Sequence, residues 1–175
     1  KEKDLSKKLS EDVDEMEKML NEYLQFASSN AKEKTETFDL SELIGIIINK
    51  YENPNIIKNF KKRIYFNGRK NLIQRSVNNL IDNSIKYGKK TKLVLEKKKS
   101  NIFISIEDDG PGIPKSEYEN VIKPFYKIDK GRSESKSSVG LGLSISSDII
   151  KSHGGDINFT KSNLGGLKVI ISLPV

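Results

Sequence analysis

Leu5, Leu9, Val13, Met16, Leu20, Tyr23 and Ala27 recur at steps of three and four, separated mostly by Asp, Glu, Lys and Ser. That spacing predicts an amphipathic helix over residues 5–27 with the narrow apolar seam of a coiled coil or helical bundle. The same stripe also fits a helix packed on its own domain. Ser28–Thr37 carries no apolar stripe and reads as a linker. The chain therefore divides into one helix at 1–30, a linker and first strand at 31–38, and a folded domain at 39–175.

Within that domain Thr35–Leu40 reads as a short strand running into it. Asp39 or Ser41 then caps a helix to about Tyr51, with Glu42 in its first turn and Asn53-Pro54 as its stop. Arg63–Phe66 reads as a strand and Asn67-Gly68 as a turn. A longer helix follows over Arg69–Tyr87, with Ile73, Val77, Leu80, Ile81 and Ile85 as its apolar stripe and Gly88 as its stop. Thr91–Lys97 and Asn101–Glu107 alternate with period two, and Lys98–Ser100 makes them a hairpin. Residues 120–139 form a long polar stretch, which at that length is a functional lid or a disordered segment. Leu141–Lys151 is a helix broken at Gly154-Gly155. Asp156–Lys161 and Lys168–Leu173 are closing strands about Asn163–Gly166. The expected fold is α+β: a two-layer sandwich, a mixed sheet with helices on one face, preceded by one long helix.

Composition narrows what this domain can do. The chain has 175 residues, 35% hydrophobic and 31% charged, polar but too periodic for wholesale disorder. Its formal charge of +7 comes from scattered lysines. The small runs Lys61–Arg63 and Lys97–Lys99 sit beside strands and turns, not along one helix face, so no nucleic-acid partner is expected. With no Cys and a single His, His153, thiolate catalysis and multi-histidine metal sites are excluded. No apolar run approaches the ~18 residues of a membrane span, and no signal peptide is visible. The chain opens at Lys1 and not Met, so it reads as a piece of a longer protein whose upstream part could hold a membrane anchor.

Three features carry candidate chemistry. On the 69–87 helix, Asn79, Asn83 and Lys86 share a stripe set apart from the apolar one. Two asparagines and a lysine in register offer oxygens to a hard cation and donors to phosphates; the pattern also fits a solvated face. Glu107-Asp108-Asp109-Gly110-Pro111-Gly112-Ile113-Pro114 follows a strand directly. Its glycines allow close backbone approach, and Asp108 could accept from an exocyclic amine, although Asp-Gly and Pro-Gly also mark plain turns. Val139-Gly140-Leu141-Gly142-Leu143 opens a helix whose bare N–H groups suit phosphate. It is not a Walker loop, because no Gly-Lys-Ser/Thr follows. It is not a Rossmann fingerprint either, because a polar loop and not a strand precedes it.

In this order the three features resemble the ATP-binding catalytic domain of sensor histidine kinases, nearest in pattern to the EnvZ-like osmosensors. That domain belongs to the wider GHKL, or Bergerat-fold, superfamily of Hsp90, gyrase B and MutL ATPases. Residues 79–87 are similar to the N box, 108–113 to the G1 box, Pro124-Phe125-Tyr126-Lys127 to the F box and 140–143 to the G2 box. Residues 5–27 resemble the second helix of the dimerisation and phosphotransfer hairpin. The resemblance implies ATP and Mg²⁺ as ligands. It implies Mg²⁺ on Asn79, metal and phosphate near Asn83, phosphate at Lys86, and adenine beside Tyr87 and Asp108. Gly110, Gly112 and Ile113 would shape the wall. Lys127 and Arg132 would reach the phosphates from a lid, and Gly140, Leu141, Gly142 and Leu143 would close it.

The resemblance further implies a homodimer when intact and the cytoplasmic portion of a bacterial inner-membrane protein. The implied partners are the hairpin of its own or a second protomer and the receiver domain of a response regulator. Two departures bear on affinity: Ser138 stands where the G2 box often has a further Gly, and Lys127 where Arg is common, which turns a fork contact into a point charge. The family's phosphoacceptor His and its acidic neighbour are absent from these residues, so no catalytic residue is expected. His153 matches a structural His-Gly-Gly turn. Two alternatives remain: a hydrolase of the same superfamily, and a nucleotide-sensing module without transfer. Hydrolases place a carboxylate base before the metal-binding Asn, and no Asp or Glu lies between Arg69 and Asn79.

Overall fold

A computed structural model describes residues 33–60, 63–128 and 140–175, with scattered positions between Ser6 and Leu24. Those scattered positions are helical, as the heptad spacing predicts, and Leu9, Val13, Met16, Leu20 and Leu24 are all more than half exposed. Leu5, Tyr23 and Ala27 of the same seam lie outside the described residues, as does most of the polar stretch 120–139.

The first folded element is β1 (Glu36–Asp39), which runs straight into α1 (Leu40–Asn49). Of the two predicted caps, Asp39 does the work: its Oδ1 accepts the N–H groups of Ser41 at 2.9 Å and Glu42 at 3.2 Å. The Ser41 hydroxyl instead accepts from Ile64 N–H, which ties the helix start to the approach to β3. Next come β2 (Ile56–Phe60), β3 (Tyr65–Gly68) and α2 (Lys70–Tyr87). The chain then makes β4 (Thr91–Lys98), β5 (Asn101–Asp108), a single 3₁₀ turn (Lys115–Glu117), α3 (Gly142–Lys151), β6 (Asp156–Lys161) and β7 (Leu167–Pro174).

β1 and β3 pair antiparallel as a small sheet, and the other five strands form a mixed sheet in the order β2-β4-β5-β7-β6. Only β2–β4 is parallel; the connection between them runs through β3 and α2, the crossover that parallel pairing requires. Period-two alternation puts Leu93, Leu95, Ile102, Ile104, Ile106, Val169, Ile171 and Leu173 on one face. The stripes of α1, α2 and α3 cover that face to give one continuous core. This is the predicted two-layer sandwich. α2 and α3 meet through small side chains. Ser76, Ser144, Ser146 and Ser147 are all buried, and the Ser146 hydroxyl contacts the carbonyl oxygens of Gly142 at 2.8 Å and Ser76 at 3.3 Å.

Two details differ from the sequence reading. β2 was not expected at all. The predicted strand at Arg63–Phe66 lies instead at Tyr65–Gly68, so Asn67-Gly68 is paired strand and not a turn. Gly68 is required there by packing: a Cβ would stand 2.4 Å from the Phe66 ring and 3.0 Å from His153.

His153 links two helices. Its Nε2 accepts the Arg69 N–H at 3.0 Å just before α2, and its Nδ1 lies 2.7 Å from the Ile149 carbonyl oxygen in α3. Both bonds are made only by the neutral ring, with Nδ1 donating and Nε2 accepting. Glu33 adds a second tie, accepting the N–H groups of Asn71 and Leu72. Burial holds the His153 pKa below its ordinary 6.5, and the Arg69 charge lowers it further. The Ile149 bond and the Glu33 charge oppose that shift. The unfolded chain then binds the proton first, so stability is complete above pH 6.5 and is lost as pH falls below it. Chemical denaturation from pH 7.5 down to 5.5 should show this loss in the wild type. His153→Gln should be less stable by about 1–2 kcal/mol at neutral pH and lack the His-linked part of the slope. Equal slopes in both proteins would reject the assignment.

Candidate nucleotide site

α2 carries the predicted polar stripe, of which Lys86 is exposed and the two asparagines are not. Asn79 and Asn83 are half-buried where α2 meets the first turn of α3. The Asn79 amide nitrogen donates to the Gly142 carbonyl at 3.2 Å, with the Ser146 hydroxyl at 3.5 Å. Its Oδ1 thus turns away from α3 and makes no hydrogen bond among the described residues. The Asn83 amide likewise has no partner among them, and lies 3.9 Å from where a Gly142 side chain would begin. The start of α3 therefore lies in ordinary packing distance of both asparagines. The donor set suits a hard cation that takes one protein oxygen and fills its remaining positions with water and phosphate. No group of three or more His, Asp or Glu among the described residues offers a rival metal site.

The second wall is the turn after β5. Asp108 is 7% exposed. Its Oδ1 accepts the N–H groups of Gly110 at 2.9 Å and Leu167 at 3.1 Å, and its backbone carbonyl accepts from Gly166. Its Oδ2 makes no hydrogen bond among the described residues and so remains as an acceptor. Burial raises the Asp108 pKa and the Asp109 charge pushes the same way, while the two backbone N–H bonds hold it down. The loop bends at Gly112, whose φ of +71° is open to glycine and strained for other residues. Gly112 and Ile113 also border a cavity of about 730 Å³ toward β6, with Lys115, Tyr118, Phe159 and Lys161 on its walls. No residue of α2 borders it.

The third part is the neck of the long loop. Phe125 N–H donates to the Gly140 carbonyl at 3.1 Å, so the two ends of the loop are joined by a backbone bond. Gly140 has φ +77°, and a Cβ there would press to 3.1 Å on Phe125 and Tyr126. The Tyr126 hydroxyl donates to Glu117, which pulls the Glu117 pKa down and the Tyr126 pKa up. Leu141 is buried and Leu143 partly so, which anchors α3 in the core. α3 has no side-chain cap, so its first N–H groups keep their capacity for an anion.

Of the other predicted residues, Lys86 sits with its ammonium 5.4 Å from the Tyr87 ring centroid, and Tyr87 is exposed at the end of α2. Lys127 is exposed beside the neck. Arg132 and Ser138 lie outside the described residues. The sequence reading passed over Gly166 and Leu167, whose backbone N–H groups hold Asp108. The Gly165-Gly166 pair directly before a closing strand was the available signal. Glu107, which opens the same motif as Asp108, is buried, ion-paired to Lys168 at 3.2 Å, and steadies the same β6–β7 turn through Ser162 and Asn163.

An asparagine helix, a buried aspartate before a Gly-x-Gly turn and a glycine-necked loop define a nucleotide-binding ATPase fold. Residues 68–175 match the family described as histidine kinase-, DNA gyrase B- and HSP90-like ATPases, and the chain belongs to that family. Over 97% of its length it is 30% identical to the sensor histidine kinase GtrS of Pseudomonas aeruginosa, covering 36% of that protein. Its fold is similar to the catalytic domain of the histidine kinase ThkA (TM-score 0.69, 26% identity, 81% of this chain and 95% of that one). It is also similar to the histidine kinase domain of the Escherichia coli osmosensor EnvZ (TM-score 0.62, 29% identity, 80% and 88%). The chain spans about a third of the length of the curated relatives it matches.

Gly166 is the tightest point of the site. A Cβ there would stand 2.1 Å from Asp108 Oδ1 and 2.5 Å from Gly110 N. Gly166→Ala should lower stability by about 2 kcal/mol or more in urea denaturation and weaken ATP binding with it. A variant with unchanged midpoint and unchanged affinity would show that the turn yields without cost.

Proposed function

We propose that this chain is the ATP-binding catalytic part of a sensor histidine kinase. It holds ATP so that the γ-phosphoryl passes to a histidine on a dimerisation hairpin and then to an aspartate of a response regulator. The carrying observation is Asp108: buried, pinned through Oδ1 by two backbone N–H groups, with Oδ2 left to accept the adenine amine. Asn79 Oδ1 is the corresponding open acceptor on the helix wall. Tyr87 and Ile113 flank the base, while Asn83, Lys86, Lys127 and the start of α3 serve the phosphates.

Mg²⁺, when bound with ATP, neutralises phosphate charge, and Asn79 would hold it with help from Asn83. The chain's own contribution is position: the groove fixes the triphosphate, and the short Phe125–Gly140 neck sets where the loop reaches it. In the intact protein the exposed seam at Leu9, Val13, Met16, Leu20 and Leu24 would pair in a homodimeric bundle. A membrane anchor would lie on another part of that protein, since no described helix is long and apolar enough to cross a membrane.

Hydrolysis is the weaker reading because α2 offers no free base near Asn79. Its one carboxylate, Asp82, is taken by the Tyr51 hydroxyl at 2.8 Å. Burial and then that bond push the Tyr51 pKa upward, so the phenol stays protonated and keeps donating.

Calorimetric titration should show saturable ATP binding that tightens with Mg²⁺; no binding at millimolar ATP would sink the proposal. Asn79→Ala should abolish most of the Mg²⁺ enhancement, about tenfold, and leave Mg²⁺-free binding nearly intact. An unchanged enhancement would remove Asn79 as the metal ligand. Asp108→Asn should weaken ATP and ADP alike by roughly tenfold or more, because an amide NH₂ can face the adenine amine donor to donor; equal affinity would refute the adenine assignment. Adding a separately made acceptor hairpin with γ-labelled ATP tests transfer: label on the hairpin supports the kinase, while steady phosphate release without it supports the hydrolase.

A further inference from the structure

Asp109 follows the proposed adenine acceptor, and its side chain turns the other way. Its Oδ1 accepts two backbone N–H groups, Lys89 at 2.7 Å and Lys90 at 2.8 Å, in the three-residue link between α2 and β4. Neither N–H bonds to a backbone carbonyl. At this point the link and the β5 turn are pressed together with no room for side chains. A Cβ on Gly88 would stand 2.9 Å from Asp109 Oδ1 and 3.0 Å from the Asp108 Cβ, and one on Gly110 would stand 2.6 Å from the Tyr87 carbonyl. Gly88 closes α2 by donating to Ser84. The two Asp109 bonds therefore join the end of the asparagine helix to the loop that carries Asp108.

We infer that Asp109 is a positioning residue for the nucleotide: it sets the separation between the α2 wall, with Asn83 and Tyr87, and the Asp108 carboxylate. The inference rests on the ATP-binding reading above and adds a residue to it. Two local facts agree. The neighbouring amides, with Lys90 first, hold the Asp109 carboxyl below its ordinary range, so it stays ionised as an acceptor. The β-ladder partner of Asp108 is Thr91, one residue past the clamped link, so the clamp closes the ladder at its open end.

Both bonds end on one oxygen. A side chain that keeps that oxygen keeps the clamp without the charge. The structure therefore separates three variants: Asp109→Ala removes the acceptor, Asp109→Asn retains it, and Asp109→Ser offers a hydroxyl one bond too short to reach both amides. Asp109 lies at the base end of the site, so its loss should penalise ADP and ATP by the same factor.

The test is calorimetric titration of the whole chain with ADP and with Mg-ATP, beside amide hydrogen exchange at Lys89 and Lys90 without nucleotide. Asp109→Ala should weaken both nucleotides by about tenfold and speed exchange at both amides. Asp109→Asn should stay within about twofold of wild type in both readouts. Should the alanine variant fail to fold, the serine variant carries the same expectation. Wild-type binding with unchanged affinity in the alanine or serine variant overturns the role of Asp109 and leaves the ATP reading standing. Equal loss in the asparagine variant also overturns it, because charge and not the shared acceptor would then matter. A loss confined to ATP overturns it by moving the effect to the phosphate end. Absence of ATP binding in the wild type takes down both the reading and this inference.

Discussion

Asp108 stands where β5 outruns its neighbour: the β5–β7 ladder ends at Glu107–Lys168, one residue short of it. From there its carboxylate gathers the N–H groups of Gly110 and Leu167, and its carbonyl takes that of Gly166. A buried carboxylate is costly unless its oxygens are hydrogen-bonded. Here that cost is offset by N–H groups from two segments, the turn after β5 and the start of β7. The Gly-x-Gly turn can leave the sheet only in the direction those bonds allow. The β6–β7 hairpin can arrive only without a side chain at Gly166. The second carboxylate oxygen is then held in place by atoms that have no slack.

The asparagine wall is built on a different principle. α2 and α3 approach closely where Ser146 meets Ser76, and the Asn79 amide bridges the gap to the Gly142 carbonyl. One end of the amide is spent on architecture and the other makes no hydrogen bond among the described residues. This orients the oxygen through a backbone carbonyl, with the Ser146 hydroxyl beside it. The same contact joins the asparagine to the residue that begins α3, immediately after the loop neck.

Much of this was readable in the chain, and the misses have physical causes. The helices at 70–87 and 142–151 and strands β4, β5 and β7 carry strong period-3.6 or period-2 signals because each buries a face, and β6 alternates with Ile157 and Phe159 partly buried. β2 reads Ile-Ile-Lys-Asn-Phe, an edge strand with its middle exposed, and its partner β4 is more than thirty residues away. Nothing local marks such a strand. Asn67-Gly68 carries the signature of a turn, yet Gly68 is there to admit the Phe66 ring. At the candidate site, motif order points to Asn79, Asn83, Asp108 and Gly140, which the fold places on α2, at the end of β5 and at the loop neck. Gly166 and Leu167 are not legible because they act through backbone N–H groups, which every residue but proline has; Asp109 lies inside the quoted motif, but its role shows only in the Lys89 and Lys90 N–H groups that its carboxylate accepts. Arg132 and Ser138 lie outside the described residues.

The Phe125–Gly140 bond has an evolutionary side. A loop whose ends are already fastened adds only about 0.6 kcal/mol of closure entropy each time its length doubles. Insertions, deletions and changes of composition between those two residues therefore leave the sandwich almost untouched. That stretch is free to vary in length and charge while the sheet, the asparagine wall and the aspartate stay in register.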